Sequence, residues 1–169
     1  MAQRVRAQWR RPLVCALALL AGCGSETQDG ADDGVLTAAT LGEQAVLSAG
    51  EYLAQAPYAE ADEEYGDRIS MQCRACHTFE KGGPNMIGPN LHGIFGRPAG
   101  AAPGYPYSAA FAGAEFVWTP RALDAWLMEP DRFLPGNAMA YPGLAGAGDR
   151  AALIASLLRQ TSRGGRETE

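Results

Sequence analysis

Apolar residues recur at helical spacing in three stretches of the chain. The stretch 62–74 opens with three acidic residues, which suit the positive end of a helix dipole. The stretch 119–129 starts with Thr-Pro, an N-cap followed by the first helical position, and Pro130 ends it. The stretch 147–160 places its apolar residues on one face, with Asp149 as the expected cap. The pattern therefore predicts three helices in this order.

A fourth stretch, 41–54, has approximately helical spacing and predicts a short additional helix, although Gly42 and Gly50 weaken it. Residues 82–107 and 133–143 are rich in Gly and Pro and are expected to be loops. No long stretch alternates polar and apolar residues as a strand would. The chain is therefore predicted to be all-α, with about four to five helices and long ordered loops. Loops of this length suit a compact domain when they enclose a large apolar group.

The first 22 residues have the composition of an export signal. Four Arg precede a short apolar run, which as a helix would be about 15 Å long and too short to span a ~30 Å hydrocarbon core comfortably. The run ends in Leu20-Ala21-Gly22-Cys23, which resembles a bacterial lipobox. This predicts cleavage before Cys23 and a lipid on its thiol, which would anchor the protein to a membrane on the periplasmic side of a bacterial cell envelope. The alternative is an ordinary signal in which Cys23 is incidental.

Removal of this signal would change the charge and the cysteine count. The chain has a net charge of −5, and the loss of four Arg makes it −9, which argues against nucleic acid as a partner. Cys15 would leave with the signal, so only Cys73 and Cys76 would remain as free thiols and no disulfide framework would be available. The predicted segments are a lipoprotein signal peptide (1–22), an acidic tether with a possible short helix (23–58), a folded domain (59–162) and a polar tail (163–169).

Cys73, Cys76 and His77 form a Cys-x-x-Cys-His motif that three kinds of site could use. A structural zinc site needs four ligands, and the other histidine, His92, stands at a spacing that fits no common zinc finger. A redox dithiol needs a thiol of low pKa, usually at a helix N-terminus, whereas the predicted helix precedes this motif. A covalent haem uses all three residues, because the thiols bond to the porphyrin and the imidazole ligates the iron. The motif therefore predicts one covalently bound haem c.

The second axial ligand of the iron would decide between electron transfer and catalysis. One candidate, Met71, is too close to the motif to reach the other face of the ring, and another, Met128, falls on a predicted helix. Met139 lies in a loop whose Pro and Gly residues can bring the backbone close to a porphyrin. The remaining candidates, which the residues alone leave open beside Met139, are Met86 and His92.

From about residue 64 to residue 160 the chain resembles the class I cytochromes c of the mitochondrial and alphaproteobacterial type. The resemblance is carried in order by CRACHTFEKGG, GPNLHGIFGRPAGAAPGYPYS, a tryptophan, LMEP, LPGNAMAY and a final apolar helix. It implies the cytochrome c fold, in which helices and long loops wrap around one covalent haem c.

The same resemblance implies roles for individual residues. The residues implied to bind the porphyrin and the iron are Cys73, Cys76, His77 and Met139. The backbone carbonyl of Pro89 would accept the ring N–H of His77, and His92 would be structural rather than an iron ligand. The residues implied to bond or compensate a haem propionate, or to lie beside the methionine ligand, are Arg97, Tyr107, Trp118, Trp126 and Asn137.

Several positions depart from the pattern of this family. Trp126 stands where a tyrosine is common beside the methionine, and its indole N–H donates but cannot accept a hydrogen bond. Phe111 replaces a polar residue near the inner propionate, and Ile69 or Ser70 stands where a large aromatic residue packs. The lysines around the exposed haem edge are replaced by Gln72, Asp131 and Ala138. Together with the acidic charge, these replacements favour a redox partner with a neutral or basic docking surface.

These observations predict a membrane-tethered carrier of single electrons between respiratory-chain redox partners, and not an enzyme. One alternative is an electron-transfer subunit of a larger dehydrogenase or reductase complex. Another is a haem peroxidase or small-ligand sensor from which Met139 dissociates. Peroxidase chemistry would need a polar group beside the iron, and the methionine loop offers only Asn137 and Tyr141.

Overall fold

The computed structural model describes residues 34–162, so the predicted signal, Cys23 and the polar tail lie outside the described residues. Apart from one isolated bridge between Pro98 and Val117, these residues form no strands. The predicted all-α fold class is therefore confirmed. The α-helices are α1 (Ala49–Leu53), α2 (Glu63–Arg74), α3 (Pro120–Met128), α4 (Pro130–Phe133) and α5 (Ala147–Thr161), and two short 3-10 helices cover Tyr58–Glu60 and Ala109–Gly113. None of the helices in this part of the chain is long and apolar enough to cross a bilayer.

Local capping explains where the longer helices begin. The Asp62 side chain accepts the Tyr65 backbone N–H at 2.8 Å and caps α2. The Thr119 side chain caps α3 in front of a proline at the first helical position. The expectation that Asp149 caps α5 is wrong, because the N-cap is Gly146 and Asp149 lies in the first turn of that helix.

Helices α2 and α5 pack against each other and form the scaffold of the domain. Gly66 lies at the contact, where a Cβ atom would overlap the carbonyl of Ala152, so the two helices approach as closely as their backbones allow. The buried face of α5 contributes Leu153, Ile154, Leu157 and Leu158 to the hydrophobic core. The chain emerging from α2 is thereby held at a fixed place on the core.

A polar network lies between α2 and α5, close to the position where the family resemblance implies a large aromatic residue. Ser70 is fully buried and donates to the Asp67 carbonyl at 2.8 Å. Gln160 Nε2 lies 3.2 Å from Ser70 Oγ and 2.7 Å from Ser156 Oγ, and Ser156 Oγ donates to the Asp67 carboxylate at 2.6 Å. Because each buried hydroxyl has a partner, the network replaces aromatic packing without leaving polar groups unsatisfied.

Residues 35–48, here called the N-terminal strap, differ from the predicted helix over 41–54, of which only Ala49–Leu53 is helical. Gly42 has a φ of +69°, a conformation that the interior of a right-handed helix excludes. Leu41 is 1% exposed and belongs to the core. The tertiary contacts of Leu41 in the core therefore override the helical periodicity of this stretch.

The strap is also fixed by hydrogen bonds to the domain. The Ala38 N–H donates to the Phe133 carbonyl at 2.9 Å, and Gln44 Nε2 donates to the Val117 carbonyl at 3.4 Å. The Thr119 hydroxyl donates to Gln44 Oε1. The structure therefore differs from the predicted division at residue 59, because the packed part of the chain already begins near Leu36.

Candidate functional site

The end of α2 brings the Cys-x-x-Cys-His motif together. Cys73 is in the last turn of the helix, and its carbonyl accepts the backbone N–H groups of Cys76 at 3.1 Å and His77 at 2.9 Å. Both cysteines are half-buried and neither forms a disulfide. The turn therefore holds two free thiols and one imidazole close together on one side of the core.

The His77 ring is fixed in orientation by the loop that follows it. Its Nδ1 lies 2.7 Å from the Pro89 carbonyl oxygen, and since that oxygen only accepts, Nδ1 carries the proton and the Nε2 lone pair is left for a metal. A Cβ atom on Gly88 would overlap the ring, so the backbone lies directly against the imidazole. Burial lowers the pKa of His77, which favours the neutral form that can ligate iron.

Two of the three interpretations of the motif gain no support from this geometry. Burial raises the pKa of Cys73 to about 11, whereas a redox dithiol needs a thiol of low pKa. Among residues 34–162, no group of three or more His, Cys, Asp or Glu side chains could hold a metal ion, as a zinc site would require. The unpaired thiols beside an oriented imidazole fit covalent haem attachment.

The candidates for the second axial ligand lie in different environments. Met71 and Met86 are exposed on the surface, and Met128 ends α3. The backbone of His92 is engaged, because its N–H donates to Asn90 Oδ1 at 2.9 Å and its carbonyl accepts from Arg97. Met139 is half-buried and packs against the core from a loop, as Cys73 does from the end of α2.

The loop around Met139 is held at both ends by polar contacts. Asn137 Oδ1 accepts the Met139 N–H at 2.8 Å, while Asn137 Nδ2 donates to the Asp131 carboxylate at 3.0 Å. At the other end the buried guanidinium of Arg150 donates to the Leu144 and Ala145 carbonyls at 2.9 and 2.7 Å. Asn137, which the sequence placed near the methionine, therefore sets the loop conformation. Arg150 was not among the residues predicted from the sequence. A charged residue near the start of an otherwise apolar helix face could have indicated it.

Two of the residues implied to contact a propionate, Arg97 and Tyr107, are held by hydrogen bonds to the backbone. Arg97 donates to the Asn90 carbonyl at 3.1 Å and the His92 carbonyl at 3.3 Å, and Tyr107 Oη accepts the Ala102 N–H at 3.3 Å. The buried hydroxyl of Ser108 has no hydrogen-bond partner among the described residues. A buried hydroxyl of this kind needs an acceptor, and a haem carboxylate would supply one, so the residues present fit the cofactor. Sequence reasoning missed Ser108, although it directly follows Tyr107.

A chain of aromatic rings lines the interior beside this position. Trp126 and Trp118 are both buried and meet edge to face, with ring centroids 5.5 Å apart. Phe111 lies between Tyr107 at 4.8 Å and Trp126 at 6.1 Å. Phe111, which stands where the family pattern has a polar residue, therefore extends the apolar lining of the interior.

Comparisons with known proteins find relatives that are cytochromes c. No protein-family model matches the chain. The chain is 38% identical to cytochrome c of Kluyveromyces lactis over 105 residues, which are 62% of this chain and 96% of that protein. It is 42% identical to cytochrome c of Sesamum indicum over 98 residues, 57% of this chain and 88% of the relative. It is 43% identical over 98 residues to a cytochrome c homolog of Bradyrhizobium diazoefficiens, which are 57% of this chain and 53% of that protein.

Proposed function

The chain belongs to the class I cytochrome c family, and on that premise we propose that Cys73 and Cys76 hold its haem while His77 and Met139 ligate the iron. Members of this family are haem electron carriers rather than enzymes, and their single haem c is bound covalently. The haem supplies a one-electron iron couple. The protein's own part is to retain the cofactor, fix its ligands and keep water away from it.

The observation that carries this proposal is the hydrogen bond between His77 Nδ1 and the Pro89 carbonyl. It selects one tautomer and holds the ring so that Nε2 can point to a metal. Because Cys73 and Cys76 lie within one turn of the same residue, attachment through the two thiols would carry that nitrogen under the porphyrin.

The described contacts of the methionine loop also support electron transfer over peroxidase chemistry. With His77 and Met139 as ligands, the iron would have no open position for a substrate in either oxidation state. Asn137 is engaged with Asp131 and with the Met139 backbone. Burial raises the pKa of Tyr141, so its hydroxyl stays protonated and is a poor base. Neither Asn137 nor Tyr141 is therefore available as a general base.

We further propose that the carrier is tethered to a membrane by a lipid on Cys23, on the periplasmic side of a bacterial cell envelope. The lipobox-like end of the apolar run at the N-terminus supports this. Its partners would be redox proteins of the membrane or periplasm with neutral or basic docking surfaces. Replacing Cys23 by Ser is expected to abolish labelling with a radioactive fatty acid, and unchanged labelling would contradict the anchor.

Spectroscopy of the haem-loaded protein tests the ligand assignment. The oxidised protein should show the weak absorption band near the red end of the visible spectrum that reports iron–methionine ligation. Met139→Ala should lose this band, whereas the matched variant Met128→Ala should keep it. A band that survives in Met139→Ala would refute the ligand, and a purified protein without covalently bound haem would refute the proposed attachment.

A further inference from the structure

The segments that surround the proposed haem site are almost free of charge. Residues 82–96, 98–114 and 133–148 contain no Asp, Glu, Lys or Arg. By contrast, seven acidic residues lie between residues 43 and 67. The net negative charge of the chain is therefore concentrated in its N-terminal part and not in the loops around the cofactor.

Large apolar side chains are exposed next to the haem-attachment motif. Ile87 is 77% exposed and Met86 is 48% exposed in a loop that is joined to the motif by the Gly88 N–H, which donates to the Cys76 carbonyl at 2.8 Å. Met71, two residues before Cys73 on α2, is 61% exposed. Met86 and Ile87, which are consecutive in this loop, are here called the apolar docking face.

The loop that carries Met86 and Ile87 is pinned by hydrogen bonds. The Tyr105 hydroxyl donates to the Ile87 carbonyl at 2.7 Å, and the Met86 N–H donates to the Gly88 carbonyl at 2.9 Å. The neighbouring Asn85 Nδ2 donates to the Pro103 carbonyl at 2.9 Å. These apolar side chains are thus presented by an ordered backbone, so that covering them requires little loss of loop entropy.

We propose that the apolar docking face receives an uncharged, apolar surface surrounding the cofactor of a redox protein partner. This inference rests on the proposed function. It narrows the docking surface expected of the redox partner from neutral or basic to neutral and apolar. One electron would pass between the haem iron and a one-electron cofactor of that partner, with no bond formed or broken and no proton transferred. Since the face adjoins the residues that hold the haem, docking there would bring the two cofactors close together.

Charge complementarity favours an uncharged partner surface over a charged one. The charged residues nearest to Met86 and Ile87 in the chain are Lys81 and Glu80, and Glu80 is paired with Arg74 at 2.5 Å. Asp131, near the methionine loop, accepts a hydrogen bond from Asn137. A charged partner surface would find little to complement here, and it would be desolvated without compensation.

Voltammetry on coated gold electrodes tests this face with defined surfaces. The full chain carrying Cys23→Ser is used, so that the haem-loaded protein is tested without the proposed lipid anchor. On a methyl-terminated monolayer, we expect an electron-transfer rate that changes less than about twofold between about 10 mM and 1 M salt. The double variant Met86→Lys/Ile87→Lys should lower that rate about tenfold or more. Val46→Lys is the matched control, since Val46 is 51% exposed in the N-terminal strap, and it should leave the rate unchanged.

Several results would overturn the proposal. Productive exchange only on an amine-terminated monolayer, or an equal loss in Val46→Lys, would show that net charge and not this face controls docking. Ile87-dependent sedimentation with phosphatidylcholine vesicles would assign the face to lipid, and an Ile87-dependent dimer would assign it to a second copy. Failure of the proposed function is seen separately, as the absence of reversible one-electron reduction with soluble mediators.

Discussion

Arg150 and Asp124 form an ion pair between α5 and α3, with 2.8 Å between Nε and Oδ1. The same guanidinium binds the Leu144 and Ala145 carbonyls, so one side chain joins two helices and the end of the methionine loop. Arg150→Ala should lower the free energy of unfolding by about 2–4 kcal/mol, because it leaves two carbonyls and a carboxylate without their donor. Chemical denaturation measures this, and the red band of the oxidised protein should disappear at lower denaturant than the unfolding of the helices. Arg121→Ala, at an exposed position of α3, is the control, and an equal effect there would contradict the assignment.

Gly88→Ala should reduce the yield of haem-loaded protein, because the added Cβ would overlap the His77 ring. The backbone or the ring must then move, and the bond from His77 Nδ1 to the Pro89 carbonyl is lengthened or lost. Haem staining of the purified protein and its reduction potential provide the readouts. At Gly113 a Cβ atom would meet nothing within 4 Å, so Gly113→Ala should behave as wild type. A normal yield and potential in Gly88→Ala would contradict this role for the glycine.

Leu41→Ala should destabilise the protein by about 2–5 kcal/mol, the range for removing a fully buried leucine from a core. Leu41 is drawn from the N-terminal strap into that core. Val46→Ala, in the exposed part of the same strap, should change the unfolding free energy by less than about 0.5 kcal/mol. Thermal or chemical unfolding of the two variants provides the comparison, and equal stabilities would show that the strap does not contribute to the domain.

Stability should fall in acid through Glu80. The hydrogen bond from Arg74 is the main cause that lowers the pKa of Glu80 to about 2. Since the folded-state pKa lies below the ordinary value of 4.5, the contribution is present above pH 4.5 and is lost as the pH falls toward 2. The carboxylate is largely exposed, so the effect is small and screened by salt. Glu80→Gln should flatten this part of the stability–pH curve measured by denaturation, whereas Glu64→Gln should not, and a curve unchanged by Glu80→Gln would remove the pair as its cause.

The helices that were predicted correctly from the sequence are those whose start signals lie in a few neighbouring residues. Thr119 caps α3 as expected, and α2 begins at the predicted group of acidic residues, of which Asp62 is the cap, because such signals depend on a few neighbouring residues. Of the helix predicted over 41–54, only Ala49–Leu53 is helical in the structure. The burial of Leu41 depends on residues far along the chain, which the local pattern does not report.

The same distinction holds for the candidate site. The attachment motif is local and could be predicted from spacing alone, and the neighbouring loop places the Pro89 carbonyl against His77 as the family resemblance implied. The roles of Ser108 and Arg150 could not be predicted from the sequence. Whether the Ser108 hydroxyl is buried without a partner, and which carbonyls the Arg150 guanidinium binds, depends on segments that only folding brings together. The distribution of charge follows from the sequence alone, but the exposure of Met86 and Ile87 depends on the folded structure.

The strap sets how far the redox centre could travel if a lipid is attached at Cys23. Packing begins near Leu36, thirteen positions after that cysteine, so even fully stretched backbone allows about 45 Å between the two. Had the chain left the domain at residue 59, the allowance would be more than twice as long. The haem would then stay within that distance of the bilayer surface. Only complexes whose redox-active docking sites lie in the same range could exchange electrons with it.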